Sequence, residues 1–321
     1  MKYTEFKNSL DNGTVSPVYL FEGEDVFFRE RGLTLLKNKY LQNPELNLVS
    51  LGGDATVNEL VTSLEGYPFM SEKRMTVIKE FYPKQEVFKN GLKNYLENPL
   101  ETSLLVILNE KPCESLKKYQ SVTLVECKKA DKGLIVRWIK GECGKSNVSI
   151  DGETAGLIAE FCSSDMTRVE SETKKLISYV SDGGEITAKD VEDMVARSTE
   201  YKIYELTDFI GKRKFDKALE IVADMLSKGD APQRIIVSLY NYFRKLLHAA
   251  ITEKTVSELM SLFGAPEFSV RKTKEQAKMF KKRAIKSAVD YLTDLDYKIK
   301  SGQMSADEGM WISLFRIITE K

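Results

Sequence analysis

Val18-Tyr19-Leu20-Phe21-Glu22-Gly23-Glu24-Asp25-Val26-Phe27-Phe28 is the stretch whose reading decides the fold. Its first four residues form an apolar, β-rich run, the pattern of a parallel strand buried on both faces. Gly23 permits a tight turn, and Glu24 and Asp25 suit the first turn of a helix. That helix is predicted to run through Arg29 to Lys37, with Leu33, Leu35 and Leu36 as apolar positions. Strand, glycine turn and helix is where a P-loop protein holds nucleotide phosphates, but such a loop ends in Gly-Lys-Ser or Gly-Lys-Thr. Here the turn has one glycine, two acids and no lysine. Its carboxylates would repel phosphate, so the architecture of a nucleotide-binding domain is present without the chemistry.

On the N-terminal side, Tyr3, Phe6 and Leu10 recur at helical spacing up to Asn12-Gly13. On the other side, strands are predicted at Leu48–Leu51, Arg74–Phe81, Leu104–Leu108 and Val122–Val125. Between and after them come a helix opened by a Thr56/Glu59 capping box, another near Val87–Leu96 and a third at Gly133–Lys140. This alternation implies a parallel sheet with helices on both faces. An ATPase also needs an acidic pair ending a strand to hold Mg²⁺. Arg74–Phe81 offers Lys79-Glu80 without the aspartate, and Leu104–Leu108 is followed by Asn109-Glu110, a partial match. Gly144-Lys145-Ser146 copies the end of a P-loop, but it follows a helix and has Ile139 where the loop needs its first glycine.

The chain has 321 residues, room for two or three domains, with 42% hydrophobic and 30% charged residues. Lys+Arg and Asp+Glu are both 48, so no whole-protein field draws it to nucleic acid or membrane. No apolar run approaches the ~20 residues of a membrane-spanning helix. The N-terminus lacks the apolar core of a signal peptide, so a cytoplasmic location is expected. Cys113, Cys127, Cys143 and Cys162 form no Cys-x-x-Cys pair, which points to buried thiols rather than a metal or redox site. The only histidine, His248, lies in a helical run and is assigned to packing.

From Asn147 to Arg197 the pattern is all helical, with Asp151–Cys162, Asp165–Val180, a turn at Asp182-Gly183-Gly184 and a Thr187/Asp190 cap. From Tyr201 onward, five or six helices are predicted, one opened near Pro232. The last, Ser305–Ile318, is expected to bury Trp311, Leu314, Phe315 and Ile318. Two stretches are open to a functional reading. Arg271–Lys286 holds eight Lys/Arg and one acid, Glu275. It is either a solvated face or a contact to backbone phosphates through Arg271, Lys272, Lys274, Lys278, Lys281, Lys282 and Arg283. Phe69 and Met70 follow Gly66 and the stiff Pro68 and precede a polar Ser-Glu-Lys-Arg run. They either tuck into the sheet or form an exposed apolar tip that fills a partner's pocket.

The chain as a whole resembles the delta subunit of the bacterial DNA polymerase III clamp loader. VYLFEGEDVFFRE resembles that family's strand and acidic turn, and LVTSLEGYPFMSEKRMTVIKE its helix, apolar tip and next strand. CSSDMTRVESETKKLISYV resembles its lid helix; YELTDFIGKRKFDKALEIVADML and PQRIIVSLYNYFRKLL resemble its collar; LTDLDYKIKSGQMSADEGMWISLFRII resembles its C-terminus. The resemblance implies an α/β plus all-α protein. Its parts would be an AAA+-like clamp-binding domain lacking a P-loop (1–142), a helical lid (143–200) and a helical collar (201–321). It implies no catalysis, metal or cofactor of its own, within a DNA-directed DNA polymerase (nucleotidyltransferase) holoenzyme. The partners implied are the sliding clamp, ATP-binding and inactive subunits in a pentameric ring, and primed DNA. The family's clamp contact falls on Phe69 and Met70. The rival readings are a degenerate P-loop ATPase and a DNA-binding scaffold.

Overall fold

The apolar runs of the first half become β1 (Val18–Glu22), β2 (Leu48–Leu51), β3 (Arg74–Lys79), β4 (Ser103–Asn109) and β5 (Val122–Glu126). They pair throughout in parallel, in the order β2-β3-β4-β1-β5. Every residue of β4 is buried, as a strand flanked on both edges and covered on both faces requires, and its continuous Leu-Leu-Val-Ile-Leu follows from that. The computed structural model describes residues 1–84, 91–180, 183–265 and 267–320. It divides into two units, 1–129 and 130–321.

Among the described residues of the first unit the helices are α1 (Tyr3–Asp11), α2 (Val26–Tyr40), α3 (Pro44–Asn47), α4 (Val57–Glu65) and α5 (Lys93–Glu97). Phe6 of α1 meets Tyr19 and Phe21 of β1 edge-on, with ring centroids 5.5 and 5.0 Å apart. α2 starts at Val26, just past the Glu24-Asp25 pair expected in its first turn, because Asp25 is its cap: the carboxylate accepts from the Phe28 N–H at 3.3 Å. α4 opens with the expected Thr56/Glu59 capping box. On one side of the sheet, Leu60 and Leu64 of α4 pack with Ile78, Leu92, Leu96, Leu105 and Ile107. Each such burial contributes roughly 1.5–3 kcal/mol. β3 stops at Lys79 rather than Phe81, because Glu80 turns to φ 53°. Of the helix expected near Val87–Leu96, residues 87–90 lie outside the described residues.

The second unit begins with α6 (Lys132–Lys145), so a domain boundary at 142/143 falls inside a helix. Gly144 and Lys145 form its last turn and Ser146 its cap. The P-loop-like triplet is therefore a helix C-terminus, the negative end of the dipole. The stretch 147–197 is not all helix. Ser149–Ile150 (β6) and Glu185–Ile186 (β7) pair in parallel beside α7 (Gly152–Phe161), α8 (Met166–Val180) and α9 (Ala188–Met194). Of the expected Asp182-Gly183-Gly184 turn, Asp182 lies outside the described residues.

Among the described residues seven helices follow: α10 (Thr199–Gly211), α11 (Phe215–Ser227), α12 (Pro232–Ile251), α13 (Val256–Phe263), α14 (Glu267–Ala277), α15 (Lys282–Lys300) and α16 (Ala306–Glu320). The count exceeds the expected five or six partly because the basic stretch breaks between α14 and α15. Ile203, Leu206, Val222, Ile235, Leu239 and Phe243 lie at the centre of this core. α16 corrects one expectation. It buries Met310, Leu314 and Ile317, whereas Trp311 and Phe315 are 42% and 70% exposed. Gly309 sets this rotation: a Cβ there would lie 2.6 Å from Leu295 Cδ1, so this face is drawn against α15. Among the described residues no helix is long and apolar enough to cross a membrane.

Candidate functional site

The loop between α4 and β3 enters the sheet at its N-terminal edge. The helix stops at Gly66, and Tyr67, Phe69 and Met70 stand out at 83%, 58% and 78% exposure. Of the two readings open for Phe69 and Met70, the geometry has the exposed one. Tyr67 joins them and was missed; the signal was the unbroken Tyr-Pro-Phe-Met run between a glycine and a serine. The backbone beneath is held. Asn47, at the end of α3 and fully buried, accepts from the Phe69 N–H at 2.7 Å and donates to the Phe69 carbonyl at 2.9 Å. Asn43 donates to the Met70 carbonyl at 3.3 Å, and the Gln42 N–H donates to Ser71 Oγ at 3.4 Å. Below the loop, Ser63 of α4 and Thr76 of β3 share a buried hydrogen bond of 2.7 Å. Three apolar side chains on a fastened backbone suit insertion into an apolar pocket.

The opposite edge carries the nucleotide-like turn, and two of its N–H groups are already taken. The Gly23 N–H donates to the Asn109 carbonyl and the Asp25 N–H to the Cys127 carbonyl, each at 3.0 Å. A Cβ on Gly23 would lie 2.3 Å from that Cys127 oxygen. Glu22 pairs with Lys117 at 2.7 Å and accepts from the Cys113 N–H at 2.8 Å. A phosphate cradle needs free N–H groups and cations; Gly23 and Asp25 have spent theirs and the turn carries no lysine. Asn109, half of the partial Mg²⁺ match, spends its side chain on Phe81, accepting from its N–H at 2.9 Å and donating to its carbonyl at 2.8 Å. Glu80 accepts from Arg29 at 2.9 Å, the Tyr82 hydroxyl at 2.6 Å and the Glu110 N–H at 3.2 Å. Burial works against the Glu80 anion, yet these donors hold its carboxyl below the usual glutamate range. All four cysteines are buried. Burial pushes the Cys127 and Cys162 thiols up to about 12, beyond ready reactivity.

The basic stretch separates into two groups. Lys272 reaches Glu160 at 2.8 Å, which also holds Lys132 at 2.7 Å. Arg271 pairs with Glu267 one turn back, and Lys274 donates to the Lys254 carbonyl at 3.2 Å. Lys278, Lys281, Lys282 and Arg283, at the turn into α15, are exposed and form no ion pair among the described residues. Four of the seven candidates are thus exposed without a salt bridge among the described residues, although Arg283 also helps hold the Glu320 carboxyl below the usual glutamate range, after the hydrogen bonds from Ser287 and Arg316.

Comparison with known proteins bears on both units. The family described as DNA polymerase III, delta subunit, matches residues 19–130, and its C-terminal domain matches residues 200–317. DNA polymerase III subunit delta of Bacillus subtilis is 24% identical over 330 residues, covering 96% of this chain and 94% of its own. A probable DNA polymerase III subunit delta of Aquifex aeolicus is 21% identical over 249 residues, covering 71% of this chain and 69% of its own. The solved structure of the Bacillus subtilis DNA clamp loader delta protein (YqeN) superposes with a TM-score of 0.79 at 22% identity, covering 99% of each chain.

Proposed function

This chain belongs to the DNA polymerase III delta-subunit family, a component of the clamp loader of DNA replication; from that premise we propose that it is the subunit that grips the sliding clamp and holds it open. It does so without nucleotide chemistry of its own. The observation that carries the reading is the tip: Tyr67, Phe69 and Met70 are exposed at the N-terminal edge of an otherwise well-buried sheet. Opening follows from differential binding, because a tip that fits the sprung clamp better than the closed one shifts the clamp toward the open form. The first unit, 1–129, supplies the grip, and the second supplies a lid up to residue 200 and a collar over 201–321. The collar joins ATP-binding and inactive relatives in a pentameric ring in the cytoplasm, and the exposed Trp311 and Phe315 of α16 suit such an assembly.

Contact with primed DNA inside the assembled loader is assigned to Lys278, Lys281, Lys282 and Arg283, the basic residues left unpaired at the turn into α15. Removing these charges should lessen the salt dependence of loading.

The deciding experiment measures binding of the purified chain to the sliding clamp of the same organism. Wild type is compared with a Phe69→Ala, Met70→Ala double variant of equal melting temperature. Each side chain is worth about ten- to a hundredfold in affinity. A folded double variant that binds as well as wild type moves the contact elsewhere, and a wild type that does not bind overturns the reading.

A further inference from the structure

We propose that Asn47 is the positioning residue of the tip: its buried amide grips the backbone of Phe69 on both sides and sets the docking arrangement before the partner arrives. This rests on the docking reading above. A tip whose side chains all face solvent has no packing of its own to define it, so its shape must come from its backbone. Asn47 supplies that shape. Its one acceptor takes the Phe69 N–H at 2.7 Å, and its amino group donates to the Phe69 and Gln42 carbonyls, each at 2.9 Å. The side chain is fully buried, where an unmade hydrogen bond is costly, so the grip is strongly preferred over release. The next residue gains from it. Met70 sits at φ 49°, a left-handed conformation that a non-glycine residue holds only when its neighbours impose it. With Asn47 fixing Phe69 and Asn43 holding the Met70 carbonyl, the two apolar side chains stay free to enter a pocket. The ordering of the loop is completed on folding rather than charged to binding.

The molecule contains its own control. Asn109 holds Phe81 through the same pair of bonds, at 2.9 and 2.8 Å, at the opposite edge of the sheet, where Phe81 is buried. The experiment compares wild type, Asn47→Ala and Asn109→Ala by sliding-clamp affinity, melting temperature and hydrogen exchange at the Phe69 amide. Asn47→Ala should weaken clamp binding about tenfold, the factor for ordering one residue's backbone. It should also speed exchange at Phe69 by a similar factor. Asn109→Ala should lower the melting temperature yet leave clamp affinity within about twofold. Unchanged affinity in Asn47→Ala, or an equal loss in Asn109→Ala, overturns the proposal. If wild type does not bind the clamp, the docking reading fails, and exchange at Phe69 alone decides whether Asn47 holds the loop. Should Asn47→Ala not fold, Asn47→Asp replaces it: it keeps the acceptor for the Phe69 N–H and loses the donors. Weaker clamp binding by the folded variant is then the supporting result, because the Phe69 carbonyl is released while its N–H keeps an acceptor, and wild-type affinity overturns the proposal.

Discussion

The two ends of the parallel sheet use one device for opposite purposes. At the carboxyl end Asn109 clasps the backbone of Phe81, whose ring goes into the core at 4% exposure. At the amino end Asn47 clasps the backbone of Phe69, whose ring goes into solvent at 58% exposure. Open α/β sheets ordinarily bind ligands at the carboxyl ends of their strands. Here that end is closed by its own hydrogen bonds, and the reactive-looking turn is a solved packing problem. The unfinished surface lies at the other end. An exposed aromatic on a well-held backbone therefore marks a different kind of residue from an exposed aromatic on a loose one.

The largest effect expected is at the amino end. The Phe69→Ala, Met70→Ala pair should cost roughly 3–6 kcal/mol of clamp binding, from two side chains at about 1.5–3 each, while leaving stability unchanged because both are already solvated. A fall in melting temperature would erase the contrast between the edges. Next comes Asn109→Ala, which strands the buried N–H and carbonyl of Phe81 and should lower unfolding free energy by about 1–3 kcal/mol in urea titrations. Glu80→Gln should cost less, under about 1 kcal/mol, since its side chain is half exposed and screened. Its signature is pH. Because the folded carboxyl titrates below the unfolded one, its contribution is complete above the unfolded glutamate pKa and is lost as pH falls through the folded value. The wild-type minus Glu80→Gln difference should therefore vanish in acid; a difference that grew in acid would show that the network does not favour the anion. The smallest effect expected is none: millimolar Mg-ATP should not move the melting temperature, and a clear rise would reopen the carboxyl end as a nucleotide site.

Much of this contrast was readable from the chain. β1 and β4 announced themselves as continuous apolar runs, and the Thr56/Glu59 and Thr187/Asp190 boxes marked helix starts, because these signals are local. Phe69 and Met70 are marked as a pair by the same local signals, but spacing alone leaves them open between the sheet and an exposed tip. Asn47 did not, since its partner is 22 residues away and nothing near it in sequence tells a clasp from a surface amide. In sequence Lys272 looks as free as Lys282, and only the fold brings Glu160, 112 residues distant, beside it. β6 and β7 are two residues each, too short for any period to register. Apolarity alone points Trp311 and Phe315 into the core, but the choice between them and Met310 depends on where Gly309 lets α16 approach α15.

The exposed α16 stripe has a colloidal consequence. Trp311, Ile312 and Phe315 present a sticky face on a chain whose formal charge is zero and whose isoelectric point is about 6.7. Near neutral pH the lone subunit thus lacks the long-range repulsion that keeps such faces apart. Its shelf life in a test tube should lengthen as the buffer moves away from that point.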